Sequence, residues 1–385
     1  MKKKKVKSFS TKEVAFLVIA TCVISFGMAM AIKGHKQTKV KYVEDENLSM
    51  LLEQYNFLTN NYVEKADKEK IINGAIMGIL YSLDDPYAEY YDETSSETFN
   101  ARINGSYEGI GIEFVRLNTG EAYILSVFKN SSADIAGIKK NDIITKVDDK
   151  ALSEMDNDEF LNYIKGKNSE LKLTVLREAE ELEFKVQKSH VVIESVEFKY
   201  VDGYGYIKIN TFALNTYSQF KYAFDRLNEK QIKGLIIDLR NNGGGHLSVS
   251  EDILSLFLDD DKVLYHMMNQ TDRIIVKSKG NMDYKRPIAI LINGNSASAS
   301  ELIASALSEQ LGATLVGEKT YGKGTVQKLI NLPNGTQYKV TTDKWLTSKG
   351  VYNEGKGIAP DVEFIGNSDE EYIKKAIEAI EKKNG

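Results

Sequence analysis

Two short stretches hold the residue types best suited to covalent chemistry: Asn293-Gly294-Asn295-Ser296-Ala297-Ser298-Ala299-Ser300-Glu301 and Tyr321-Gly322-Lys323-Gly324-Thr325-Val326-Gln327. The first offers serine hydroxyls and the second a lysine amine, which together make a nucleophile and its base. The serines follow the apolar run 288–292 and precede Leu302, Ile303, Ala306, Leu307 and Leu311, so a strand-to-helix turn is expected. At such a turn the first helical N–H groups face outward and favour negative charge, as an oxyanion requires. A structural reading stands beside the catalytic one, because Ser298-x-x-Glu301 also has the form of a helix capping box.

A serine hydroxyl is a weak nucleophile at neutral pH and needs an adjacent base. The chain has four histidines, His35, His190, His246 and His266, none in a segment resembling a triad histidine. His246 lies in a glycine loop and stays a candidate. Lys323 has glycines on both sides, and in the strand expected after it Lys323, Thr325 and Gln327 share one face, where Gln327 can hold the lysine. Lysine acts as a base only where burial lowers its pKa; an exposed lysine on a glycine hairpin is the alternative. Gly317-x-x-x-x-Gly322-Lys323 approaches a phosphate-binding loop, but Gly324 stands where a Ser or Thr should ligate magnesium, and strand rather than helix follows. No nucleotide, metal or other cofactor is therefore implied.

These segments, with Asp238-Leu239-Arg240-Asn241-Asn242-Gly243-Gly244-Gly245 and Gly357-Ile358-Ala359-Pro360-Asp361, resemble the C-terminal processing peptidases, or tail-specific proteases. Four motifs occur in that family's order. The resemblance implies a Ser-Lys dyad, with Ser298 as nucleophile, Lys323 as base and Gln327 orienting the lysine. It implies that Gly244 supplies an oxyanion N–H, here paired with that of Ala299. Gly243 replaces a proline common in the family. Glu309 stands where relatives carry an acid and is read as structural.

Around these motifs the chain divides into six parts. Six lysines lie within residues 1–12, so 1–13 is a basic cytoplasmic segment, and 14–32 is an apolar run long enough to span about 30 Å of bilayer. An uncleaved signal anchor and a cleaved signal peptide ending at Ala29-Met30-Ala31 are both open, the length favouring the anchor. Either places everything after residue 33 outside the cell. Residues 44–102 show helical periodicity, with Leu83-Asp84-Asp85-Pro86-Tyr87 ending the second helix. In the family a similar Leu-Asp-Asp-Pro-Tyr segment links the N-terminal helices to the next domain.

Residues 103–189 are strand-rich and resemble a PDZ domain, which implies a substrate C-terminus bound at Tyr107, Gly109, Ile110, Gly111 and Ile112. Asn141-Asp142 replaces the usual Gly-Asp turn, and Lys165 a frequent arginine. Residues 190–366 alternate strands and helices, as an α/β core of mixed sheet covered on both faces would. Residues 367–385 form an amphipathic helix for a partner subunit or for the chain itself.

A net charge of −5 speaks against a nucleic-acid surface, and the single Cys22 excludes an internal disulfide or a cysteine-built metal site. The expectation is a membrane-anchored, extracytoplasmic serine endopeptidase acting on proteins with a free C-terminus, its terminal helices hinting at a homodimer. The contrasting reading is a catalytically silent PDZ scaffold.

Overall fold

The computed structural model describes residues 45–166, 170–280 and 284–384. The expected membrane segment at 14–32 lies outside them; among the described residues no helix is long and apolar enough to cross a membrane. The chain divides into two units at Ala75/Ile76. The first contains α1 (Glu46–Asn61), capped by the Asp45 side chain on the Asn47 N–H. None of its residues is buried, and Leu48, Leu51, Leu52 and Leu58 form an uncovered apolar stripe. Helix α2 (Lys68–Tyr81) begins in this unit and carries the chain into the second.

The second unit opens with a departure from the helical pattern expected up to residue 102. Strand β1 (Glu89–Tyr91) interrupts it, and α3 (Glu93–Asn104) starts anew from an Asp92 cap. The strand exists because it pairs with a distant segment near residues 337–339, a partner that local periodicity cannot announce. Gly105 in the left-handed region ends α3.

A small antiparallel domain follows: β2 (Ser106–Gly109), β3 (Ile112–Arg116), β4 (Ala122–Val127), α4 (Ser132–Ala136), β5 (Ile143–Val147), β6 (Lys150–Ala151), α5 (Asn157–Gly166), β7 (Leu171–Arg177), β8 (Glu180–Val186) and β9 (Ser189–Val192). The order β3-β4-β5-β7-β8 leaves β3 at an edge, while β2 and β9 pair separately. Alternate strand residues meet the helices in one core that includes Ile124, Ile144, Leu173, Val175 and Phe160.

The larger layer comprises β10 (Val196–Val201), β11 (Tyr204–Ile209), α6 (Thr216–Asn228), β12 (Leu235–Asp238), α7 (Leu247–Leu254), β13 (Val263–Met268), β14 (Arg273–Lys277), β15 (Ile288–Ile292), α8 (Ala299–Leu311), β16 (Thr314–Gly317), β17 (Thr325–Asn331), β18 (Gln337–Thr347), β19 (Val362–Glu363) and α9 (Asp369–Asn384). Its main sheet, β10-β11-β12-β15-β16-β19, is antiparallel only between β10 and β11 and parallel elsewhere. β15 is apolar throughout, and β12 up to Asp238, because both faces are covered. Leu235, Ile237, Ile290 and Ile292 pack with α6, α7 and α8; Ile236, Ala289 and Leu291 pack with Tyr372, Ile373, Ala376 and Ile380 of α9. The C-terminal helix thus docks on its own sheet. A second sheet, β1-β18-β13-β14 with β17 on β18, carries the lysine segment.

Candidate active site

The serine turn joins β15 to α8, as the apolar run and helical periodicity require. Its three serines have different fates. Ser296 Oγ donates to the Leu239 carbonyl at 2.8 Å and Ser300 Oγ to the Asn242 carbonyl at 2.8 Å, and neither side chain is exposed. Ser298 is only half-buried and lines a cleft of about 1130 Å³. Its backbone stands at φ 56°, ψ −115°, a strained position for a non-glycine residue that costs about 1–3 kcal/mol. Beside it runs the glycine loop after β12. A Cβ on Gly244 (φ +101°) would lie 2.9 Å from Ser298 Cβ and 3.2 Å from the Ala299 nitrogen, so only glycine permits this approach. The Gly244 N–H donates to Asn242 Oδ1 at 2.9 Å. The Ala299 N–H has no intramolecular acceptor among the described residues.

Glu301 binds the serine turn to the lysine loop. Fully buried, its carboxylate accepts from the Ser298 N–H (2.8 Å), the Lys323 N–H (2.8 Å), the Gly322 N–H (2.8 Å) and the Thr320 hydroxyl (2.6 Å). Burial pushes its carboxyl pKa up, and these four donors oppose the rise. Gly322 (φ +87°) admits the loop, since a Cβ there would meet the Gly357 nitrogen at 2.5 Å.

Lys323 lines the same cleft as Ser298. Burial pushes its ammonium pKa below the ordinary lysine value and nearby Lys339 adds to this, while Glu354, Asp85 and Glu301 oppose. Its Nζ lies 4.7 Å from the centroid of the Tyr87 ring, and its carbonyl accepts from Trp345 Nε1 at 2.8 Å. Among the described residues no hydrogen bond joins Lys323 Nζ to Ser298 Oγ. Gln327 also lines the cleft, but its amide donates to Thr325 Oγ1 (3.1 Å) and Thr341 Oγ1 (3.0 Å) rather than receiving the lysine.

His246 lines the cleft too, with no hydrogen bond to Ser298. Its Nε2 is buried without a partner among the described residues; burial lowers its pKa, against a hydrogen bond with the Ile103 backbone. The remaining wall is largely α3, including Thr94, Thr98 and Arg102. This helix also meets the small domain: Thr94 Oγ1 donates to Asp158 Oδ1 at 3.1 Å, and Glu97 pairs with Lys165.

In the small domain the five expected peptide-binding residues follow one another across a strand end. Tyr107 and Gly109 belong to β2, paired with Val191 and Ser189. Ile110 is buried in the domain core, Gly111 takes φ +88° against Ser131, and Ile112 opens edge strand β3. The edge leaves backbone groups for an added strand, with α5 alongside through the Phe114–Phe160 ring contact at 5.3 Å. Glu309 holds a turn, accepting from the Lys349 N–H and the Ser348 hydroxyl.

Two contributors escaped sequence reading. Glu301 showed itself only as a capping-box acid, with no sign of its bonds to the lysine loop. Tyr87 lies in a segment read as a linker, and its link to Lys323 spans more than 200 residues of sequence.

A small β domain with an open edge strand joined to an α/β core, with a serine of the strand-to-helix turn and a half-buried lysine lining one cleft, fits a PDZ-bearing serine peptidase. Residues 203–364 match the model of peptidase family S41, residues 109–187 that of the PDZ domain, and residues 23–95 that of the N-terminal domain of the activating protease CtpB. The carboxy-terminal processing protease CtpA of Bacillus subtilis (strain 168) is 33% identical over 354 residues, 90% of this chain and 76% of that protein. The "Probable CtpA-like serine protease" of Staphylococcus aureus (strain COL) is 35% identical over 353 residues, 90% of this chain and 70% of the relative. A solved photosystem II D1 C-terminal processing protease aligns over 83% of this chain and 93% of its own, at 23% identity and TM-score 0.48. The chain belongs to the carboxy-terminal processing proteases of peptidase family S41. It is a serine-type peptidase acting on protein or peptide substrates.

Proposed function

We propose that Ser298 and Lys323 form the catalytic dyad of a membrane-anchored peptidase that cuts protein substrates near their C-termini. One observation carries the assignment: of the three serines on the turn, only Ser298 lines the cleft, the hydroxyls of Ser296 and Ser300 being given to backbone carbonyls, and the half-buried Lys323 lines the same cleft. Neutral Lys323 Nζ takes the Ser298 Oγ proton as Oγ attacks the scissile carbonyl, then protonates the leaving amine. Water releases the acyl group. The Ala299 N–H stabilises the oxyanion; the Gly244 N–H joins it by leaving Asn242 Oδ1.

Proton transfer needs Nζ within hydrogen-bond reach of Oγ. The described state lacks that bond, and this supports an enzyme whose site closes on binding substrate. A tail bound at Tyr107, Gly109, Ile110, Gly111 and Ile112 would act through α5 onto α3, which walls the cleft. In this reading Gln327 orients the lysine of the closed state. Residues 14–32 anchor the chain with its catalytic part outside the cell, on the strength of their apolar length and the lysines before them. The uncovered stripe of α1 supports pairing with a second copy.

The test is cleavage of an unstructured protein with a free C-terminus by wild type, Ser298→Ala and Lys323→Ala, followed by mass spectrometry. Silence of both variants beside an active wild type is expected. Activity in either variant would remove it from the dyad and turn attention to His246.

A further inference from the structure

Tyr87 reaches the lysine from a segment distant in sequence, held by its own set of bonds. Its N–H donates to Asp85 Oδ1 at 3.0 Å, and Asp85 Oδ2 accepts from the Thr341 N–H at 3.0 Å, fixing the Asp85-Pro86-Tyr87 segment to β18. Thr341 is also the residue whose hydroxyl accepts from Gln327. The Tyr87 hydroxyl donates to Glu354 Oε1 at 3.2 Å, and Glu354 Oε2 accepts from the Gly324 N–H at 2.7 Å. Ring and lysine loop therefore share one carboxylate, while the Asp85 bonds hold the ring's backbone against β18.

We propose that Tyr87 is a positioning residue for the catalytic base: its ring covers Lys323 Nζ, excludes water from it and holds it facing the serine side of the cleft. The inference rests on Lys323 being the base. An aromatic face attracts an ammonium, whereas the dehydration it imposes disfavours the charge. Burial is the largest influence on Lys323, and the ring, 4.7 Å from Nζ, is part of the surface that buries the amine. The charged and titratable groups around the pair are Lys339, Glu354, Asp85 and Glu301 at the lysine, and Glu354 and Tyr321 at the phenol. Tyr87→Phe and Tyr87→Ala both take the phenol from Glu354, so the Phe variant is the control for that loss.

The experiment compares full-length wild type, Tyr87→Phe and Tyr87→Ala for cleavage of one protein substrate across pH, with Lys323→Ala as control and a thermal melt to confirm each fold. Tyr87→Ala hydrates the amine and is expected to move the acid limb of the kcat profile upward by about one pH unit, lowering kcat about tenfold on that limb with KM little changed. Tyr87→Phe keeps the ring and is expected to keep the limb. If the alanine variant fails to fold, Tyr87→Ser gives the same loss of the ring and the same readout. An unmoved limb in the ring-less variant, a Phe variant shifted equally, or a ring-less variant faster at every pH would overturn the proposal. Activity persisting in Lys323→Ala would instead overturn the assignment of the base, a separate failure.

Discussion

At the scale of single residues the site sets a half-buried lysine and a buried carboxylate on neighbouring segments with opposite tasks. Lys323 is held below the usual lysine range by burial. Over the window between its depressed folded pKa and its unfolded pKa, the unfolded chain binds the extra proton. Stability therefore rises with pH across that window, and catalysis rises with pH through the folded value. Cleavage should follow a single acid limb lying below about 10.4, the ordinary lysine pKa. Lys323→Met should abolish it while raising thermal stability most on the acid side of the window, which melts at several pH values would read. An alkaline limb alone would contradict the assignment. Glu301 carries the structural burden. A glutamine there cannot accept from all four of its donors, so Glu301→Gln should cost about 3 kcal/mol in denaturant unfolding and most of the activity. The serine turn and the lysine loop were legible in sequence because short motifs carry them. The four-way role of Glu301 was not, since only the Ser298 bond lies within local spacing.

At the scale of elements, the segments with strong periodicity were readable and those made by tertiary contact were not. Strands β12 and β15 and helices α6 and α9 announce themselves by apolar pattern. Helix α3, Glu-Thr-Ser-Ser-Glu-Thr-Phe-Asn-Ala-Arg-Ile-Asn, has too few apolar residues to stand apart from its neighbours, and β1 is set by a partner some 250 positions away. The amphipathic face of α9 was visible, but its partner was not. The structure puts it on the main sheet and locks it there through Arg240. That guanidinium bonds Asp238 and Asp369 and lies 3.8 Å from the Tyr372 ring centroid, while Asp238 also accepts from Tyr206 at 2.7 Å. Arg240→Ala would leave the buried Asp238 charge uncompensated and should cost about 3–5 kcal/mol in urea unfolding. The Lys165–Glu97 pair between α5 and α3 is a different case, since both side chains remain accessible. Lys165→Ala should change stability by less than about 1 kcal/mol yet weaken the stimulation of cleavage by a C-terminal peptide. Unchanged stimulation would argue against α3 as the link.

For the whole molecule, the arrangement joins the core of an S41 peptidase to a PDZ domain with an open edge strand. The family assignment and the small domain were legible because motif order and strand order survive in sequence. The links that hold the lysine loop were not, because Tyr87 and Glu301 reach it from distant parts of the chain. A central test is labelling with a fluorophosphonate, in which the nucleophilic hydroxyl displaces fluoride from phosphorus. Peptide mapping by mass spectrometry should find the adduct on Ser298, absent from the Lys323→Ala variant. An adduct on Ser296 or Ser300, or equal labelling without the lysine, would contradict the account.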